Sequence, residues 1–149
     1  GATGSGKTYL ASALGLMANR SFMTVKYARL PEMLGELAVA RAEGSYRKLM
    51  KAYKTVQLLI LDEWLLSPLR DAESKELLEI VEARYKRGST IFCSQFEVGG
   101  WHEKIGDPTL ADAICDRIEA RLREAVEDAQ ITIHVEPEEK AKHAGIVVV

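Results

Sequence analysis

The first eight residues, Gly1-Ala2-Thr3-Gly4-Ser5-Gly6-Lys7-Thr8, constrain this chain more than any other stretch. They fill the pattern G-x-x-x-x-G-K-[ST], whose glycines let the backbone take positive φ and turn its N–H groups inward on one anion. The helix that follows points the positive end of its dipole at the same anion. Lys7 adds a movable charge for the β- and γ-phosphates of a nucleotide, and the Thr8 hydroxyl offers an oxygen to Mg2+. Gly1, Ala2, Thr3, Gly4, Ser5, Gly6, Lys7 and Thr8 are therefore the candidate ATP-binding loop. Such a loop normally follows a buried strand, and nothing precedes Gly1 in the sequence. The expectation is a fragment or a rearranged form, with the first core strand absent from the N-terminus.

A second motif lies about 50 residues on. Residues 56–61 (VQLLIL) form a continuous apolar run, as expected of a parallel strand covered on both faces. The run ends in Asp62-Glu63. An acid at the C-terminal tip of such a strand can hold Mg2+, directly or through water, which assigns that role to Asp62. Glu63 beside it can polarise a water for attack on the γ-phosphate. A further apolar strand, residues 89–94 (STIFCS), ends at Gln95. Its amide is placed to hydrogen-bond the γ-phosphate or the attacking water.

Between these strands the spacing predicts helices. Residues 7–20 carry Leu10, Ala13, Leu14 and Met17 at helical intervals. A short β-prone run, 22–27 (FMTVKY), precedes a helix that starts at Pro31 and stops at Gly44. Ser45 then caps a short helix bearing Arg47, Lys48, Lys51 and Lys54. Residues 71–86 form an amphipathic helix directing Leu77, Leu78, Val81 and Tyr85 to one side. A loop with Gly99, Gly100 and Trp101 leads to a helix from about Pro108. Residues 131–135 alternate as a strand, and 137–143 are charged and exposed. Strands alternating with helices predict an α/β fold, a three-layer α/β/α sandwich around a parallel sheet.

Composition bounds the partners. A net charge of −2 over 149 residues leaves no overall basic footprint. Contact with nucleic acid must then come from local patches, such as the four basic residues after Ser45, or from an oligomer. Cys93 and Cys115 lack metal or redox spacing, and Cys93 sits in an apolar run, so a buried thiol in a reducing compartment is expected. His134 and His143 are isolated and expected on the surface. No run approaches the ~18 apolar residues of a membrane span, and no signal peptide is evident. The expected location is cytoplasmic.

With these residues in place, the chain resembles the helper ATPases of insertion-sequence transposition, the IstB family, relatives of the bacterial helicase loader DnaC. The matching stretches are GATGSGKTYLASALG, LLILDE, EARYKRGSTIFCSQ and GDPTLADAICDRI, spanning residues 1–118. The resemblance implies an AAA+ P-loop NTPase that binds ATP between subunits of a homo-oligomer and assembles on duplex DNA. It also implies a partner transposase, which the helper supplies with target DNA. It places Gln95 at the sensor-1 position, where many relatives carry Asn. Arg117 becomes the arginine that reaches the γ-phosphate of a neighbouring subunit; on spacing alone, a surface pair with Asp116 or Glu119 is the other reading.

The resemblance divides the chain into an ATPase core, 1–118, and a divergent tail, 119–149. Residues 117–139 (RIEARLREAVEDAQITIHVEPEE), leading into and through much of this tail, are weakly similar to the end of the cytosolic domain of cation-diffusion-facilitator transporters. The tail's last five residues, Gly145-Ile146-Val147-Val148-Val149, would complete a strand-to-loop sequence if set before Gly1, an expectation of circular permutation. Two rival functions stay open at this point. One is a DnaC-like loader acting on a replicative helicase. The other is an inactive fragment that serves as a nucleotide-binding or interaction module.

Overall fold

Leu58, Leu59, Ile60 and Leu61 can all be buried only if both faces of their strand are covered, and the fold is built to do so. A computed structural model gives the structure of residues 6–125. Within them three strands form one parallel sheet: β1 (Val25–Arg29), β2 (Leu58–Trp64) and β3 (Ser89–Ser94), in the order β1-β2-β3. The helices are α1 (Lys7–Arg20), α2 (Leu30–Ala42), α3 (Tyr46–Thr55), α4 (Asp71–Arg84), α5 (Trp101–Ile105) and α6 (Pro108–Ala125).

Side-chain parity along β2 sorts the core into two layers. Leu59 and Leu61 face a large cluster that takes in Met33 and Leu37 of α2, Met50 and Tyr53 of α3, Leu77 and Ile80 of α4, and Ile114 and Ile118 of α6. Leu58 and Ile60 face a smaller cluster with Ala11 of α1 and with Ile91 and Cys93 of β3. The three-layer sandwich is thus present, with α1 on one face and the other long helices on the opposite one. Gly15 brings α1 close: a Cβ there would lie 2.8 Å from Ile60 Cδ1.

Several boundaries differ from the sequence expectation. The first strand begins at Val25, not at residue 22. Phe22 has φ 64° and is 96 % exposed. The amides of Ser21, Phe22 and Met23 donate back to carbonyls at the end of α1, so this apolar stretch is the turn that closes the helix. The second strand starts later and continues through the two acids to Trp64, because a bulge between Leu61 and Trp64 restores pairing with Ser94. The helix expected over 71–86 stops at Arg84, followed by Lys86 at φ 59°. The stretch expected as a loop holds a 3-10 turn, Val98–Gly100, and the single turn of α5, which buries Trp101 and Ile105.

Helix α6 runs without a break through residue 118, so the expected core–tail divide falls inside an element. Residues 131–135, 137–143 and 145–149, with His134 and His143, lie outside the described residues, and so does the expected strand replacement.

Candidate functional site

Gly6 sets the geometry from which the site grows. It precedes α1 with φ 80°, ψ 12°, a left-handed conformation that glycine adopts without a Cβ clash. Its carbonyl accepts the Leu10 amide at 2.9 Å, which starts the helix. Lys7 and Thr8 are consequently the first two helical residues, at the positive end of the α1 dipole. Gly1, Ala2, Thr3, Gly4 and Ser5 lie outside the described residues.

The α1 start meets the tip of β2. Thr8 Oγ1 donates to Asp62 Oδ2 at 2.8 Å. Tyr27 of β1 donates its phenolic O–H to the same oxygen at 2.7 Å. The Glu63 amide donates to Asp62 Oδ1 at 2.8 Å. Asp62 is only 6 % exposed. Burial opposes its ionisation, but the Tyr27 and Thr8 hydroxyls, the Glu63 amide and the charge of Arg29 hold its carboxyl below the usual range. Asp62 is therefore an anion at neutral pH. Thr8 spends its hydrogen on Asp62, which leaves the hydroxyl lone pairs for a cation.

Glu63 sits in the bulge with φ 54°, and Leu65 follows with φ 53°. Each left-handed non-glycine residue costs about 1–2 kcal/mol. The strand therefore changes direction where the second acid leaves it. Glu63 is partly exposed and its Oε1 lies 3.7 Å from Arg29 Nε. The neighbouring Tyr27 phenol and then the Glu63 and Glu32 charges keep the Arg29 guanidinium more basic than usual.

Lys7 lies close enough to influence β3. Burial, then the Asp62 charge, pushes the Cys93 thiol up to about 11, against the opposing charge of Lys7. Gln95 follows the Trp64–Ser94 pair directly, so it emerges at the same end of the sheet as Glu63. The structure thus gathers Gly6, Lys7, Thr8, Asp62, Glu63 and Gln95 at the C-terminal edge of the strands. In open α/β sheets that edge is where ligands bind.

Arg117 is placed elsewhere. It lies on α6, on the opposite face of the sheet from α1, with its guanidinium 5.1 Å from the Tyr85 ring and 3.7 Å from Glu82. Neither Asp116 nor Glu119 is its partner here; Glu119 pairs with Arg123. Tyr27 is the residue that sequence reasoning missed. Its i, i+2 relation to Arg29 puts both on the α1 face of β1, but only the register of β1 on β2 shows that they meet the two acids.

The donor set suits a small hard cation. Mg2+ takes one or two protein oxygens and completes its octahedron with water and phosphate. Thr8 and Asp62 supply two such oxygens. Among the described residues no cluster of three or more His, Cys, Asp or Glu could hold a metal ion, so any cation bound here shares its shell with other ligands. No helix of the described residues is long and apolar enough to cross a membrane.

Comparison with known proteins places this geometry. The family model for IstB-like ATP binding proteins matches residues 1–127. A Sinorhizobium fredii protein named as an insertion sequence ATP-binding protein, y4pL, is 51% identical over 118 residues, covering 79% of this chain and 48% of its own length. The protein named for insertion sequence IS21 in Pseudomonas aeruginosa is 32% identical over 118 residues, 79% of this chain and 44% of its own. The chain thus spans about half the length of the curated relatives it matches. Among solved structures, AMPPCP-bound DnaA from Aquifex aeolicus superposes with TM-score 0.68 at 21% identity, over 75% of this chain and 35% of its own. The DnaC helicase loader does so with TM-score 0.67 at 18% identity, over 80% and 71%. The fold is that of the AAA+ P-loop ATPases.

Proposed function

Since the chain belongs to the family of IstB-like ATP-binding proteins, we propose that it binds and hydrolyses ATP with Mg2+ as an AAA+ helper that assembles on duplex DNA and assists a transposase. The observation that carries this reading is the 2.8 Å hydrogen bond from Thr8 to Asp62, which joins the phosphate-loop helix to the acid-bearing strand. In this reading Gly1 to Thr8 wrap the phosphates, with Lys7 on the β- and γ-phosphates. Thr8 and Asp62 hold Mg2+, which neutralises charge on the phosphates. Glu63 orients and deprotonates the attacking water. Gln95 contacts the γ-phosphate or that water.

Arg117 belongs to this site only across a subunit boundary, since its own chain directs it to Glu82 and Tyr85 on the far face of the sheet. Supplied by a neighbouring copy, its guanidinium would stabilise charge on the transferring phosphoryl group, and turnover would depend on assembly of a homo-oligomer.

Duplex DNA is assigned to the outer face of α3. Met50 and Tyr53 of that helix are buried, and Arg47, Lys48 and Lys51 are exposed on the other side. Lys54 is committed to an ion pair with Glu79. Phosphate contacts by such residues give salt-dependent binding with little sequence preference. A helicase loader of the DnaC kind is the rival partner assignment, on the strength of the shared fold. The relatives named for insertion sequences favour the transposase.

The test is ATP turnover with and without duplex DNA. The proposal expects DNA to stimulate hydrolysis and Glu63→Gln to abolish it while nucleotide binding persists. Turnover indifferent to DNA, or DNA binding indifferent to salt, would count against the helper assignment.

A further inference from the structure

The hydroxyl of Tyr27 is the least explained polar group at the site. It belongs to neither the phosphate loop nor the acidic strand end. Yet it reaches Asp62 Oδ2 at 2.7 Å, slightly closer than Thr8 does at 2.8 Å. Register explains the reach. Tyr27 is paired with Ile60 and Arg29 with Asp62, so Tyr27 lies diagonally behind the acid on the neighbouring strand and on the same face. Tyr27 is 43 % exposed, so packing alone does not account for its direction.

We propose that Tyr27 is a positioning residue for the metal-side acid: its phenol fixes Asp62 in the orientation in which that carboxylate, with Thr8, receives the divalent cation. The inference rests on the ATP·Mg2+ reading of this site and adds a residue from β1 to it.

The chemistry follows from counting lone pairs. An ionised carboxylate offers about four acceptor sites. Thr8 and Tyr27 take those of Oδ2, and the Glu63 amide takes one on Oδ1. The amide and the Thr8 hydroxyl both move with their own elements, the bulge and α1. Tyr27 is the one donor anchored on an independent strand. It therefore removes the remaining rotation of the Asp62 side chain. Groups that orient a metal-holding carboxylate in this way typically change metal affinity by about 10- to 100-fold when lost.

Tyr27→Phe removes the donor and keeps the ring. The experiment uses the full chain and reads two affinities: that of a fluorescent non-hydrolysable ATP analogue in EDTA, and that of Mn2+ for the chain–analogue complex by electron paramagnetic resonance. The expected result is unchanged metal-free analogue binding with Mn2+ affinity weaker by about tenfold. Unchanged Mn2+ affinity in Tyr27→Phe, with wild type binding Mn2+ normally, would overturn the role of Tyr27 and leave the site reading intact. Equal losses of both affinities would mark Tyr27 as merely structural and also overturn it. Wild type that binds no Mn2+ with the analogue would overturn the site reading and the role of Tyr27 together.

Discussion

Thr8 and Asp62 lie 54 positions apart in the chain, and the hydroxyl of one donates to the carboxylate of the other across 2.8 Å. That contact is where the start of α1 meets the tip of β2. Each residue alone has a bland reading, a helix-start threonine and a strand-end acid. Joined, they form an oxygen pair beside a lysine, at the edge of the sheet where nucleotides bind.

Replacing Asp62 should therefore affect metal use before it affects folding. Asp62→Asn keeps the shape but loses the charge, and we expect Mg2+-supported turnover to fall by roughly a hundredfold, the scale of one lost electrostatic group in an active site. Metal-free binding of an ATP analogue should change little. Titration of turnover against Mg2+ in both proteins checks this.

The carboxyl of Asp62 is held below its ordinary range, so its contribution to stability has a definite sign. It is present above the unfolded carboxylate value and is lost as pH falls through the lower folded one. Thermal melts from neutral pH down into the acid range should show wild type losing stability faster than Asp62→Asn. Parallel losses would mean that the Tyr27, Thr8 and Glu63 hydrogen bonds do not favour the ionised form.

Arg84 predicts a purely structural effect. Arg84 is 3 % exposed and has no acidic partner among the described residues. Burial pulls it down to about 10, still protonated at neutral pH. It donates to the carbonyls of Tyr53, Val56 and Ser89 and to the Thr90 hydroxyl, tying the end of α3 to β3. Gly88 leaves room for it, since a Cβ there would lie 2.9 Å from Arg84 Nη2. Arg84→Met strands the buried Tyr53 carbonyl and the partly buried carbonyls of Val56 and Ser89, and should cost about 3 kcal/mol in urea unfolding. Arg84→Lys should recover little, because an ammonium cannot serve that planar fan of acceptors.

Cys93 offers a probe of the same sheet. Burial and the nearby Asp62 charge push its thiol up to about 11, so it is neither accessible nor ionised at pH 8. A thiol reagent should label it slowly in the folded chain and fast in denaturant. Fast labelling of the native protein would mean that β3 opens readily.

Lys51→Ala tests the DNA face without touching the nucleotide site. Affinity for duplex DNA should weaken evenly across sequences, and the slope of binding against salt should fall by about one phosphate contact. Filter binding at several salt concentrations measures both. Loss of affinity confined to one DNA sequence would contradict a phosphate-contacting role for α3.

Much of this was legible in the sequence for physical reasons. The helix over 7–20 and the strand over 89–94 match their expected bounds, because a glycine or a turn marks each end and apolar spacing fills the middle. Asp62 and Glu63 stood out because charge follows an uninterrupted apolar strand. Phe22 misled, since a β-prone aromatic in a tight turn looks like strand until its positive φ is known. α5 was missed because a single turn has too few residues for a period. Tyr27 could not be found without register: a tyrosine on an edge strand is ordinary until its diagonal neighbour is identified as Asp62.

The central claim is that the loop–α1 junction holds a nucleotide with a divalent cation. Binding of a fluorescent ATP analogue to this 149-residue chain with Mg2+, beside Lys7→Ala, tests it most directly. The account predicts saturable binding by wild type that EDTA weakens, and affinity at least about tenfold lower in Lys7→Ala, the scale of one charge-assisted contact. Equal binding by both proteins, or none by wild type, would contradict it.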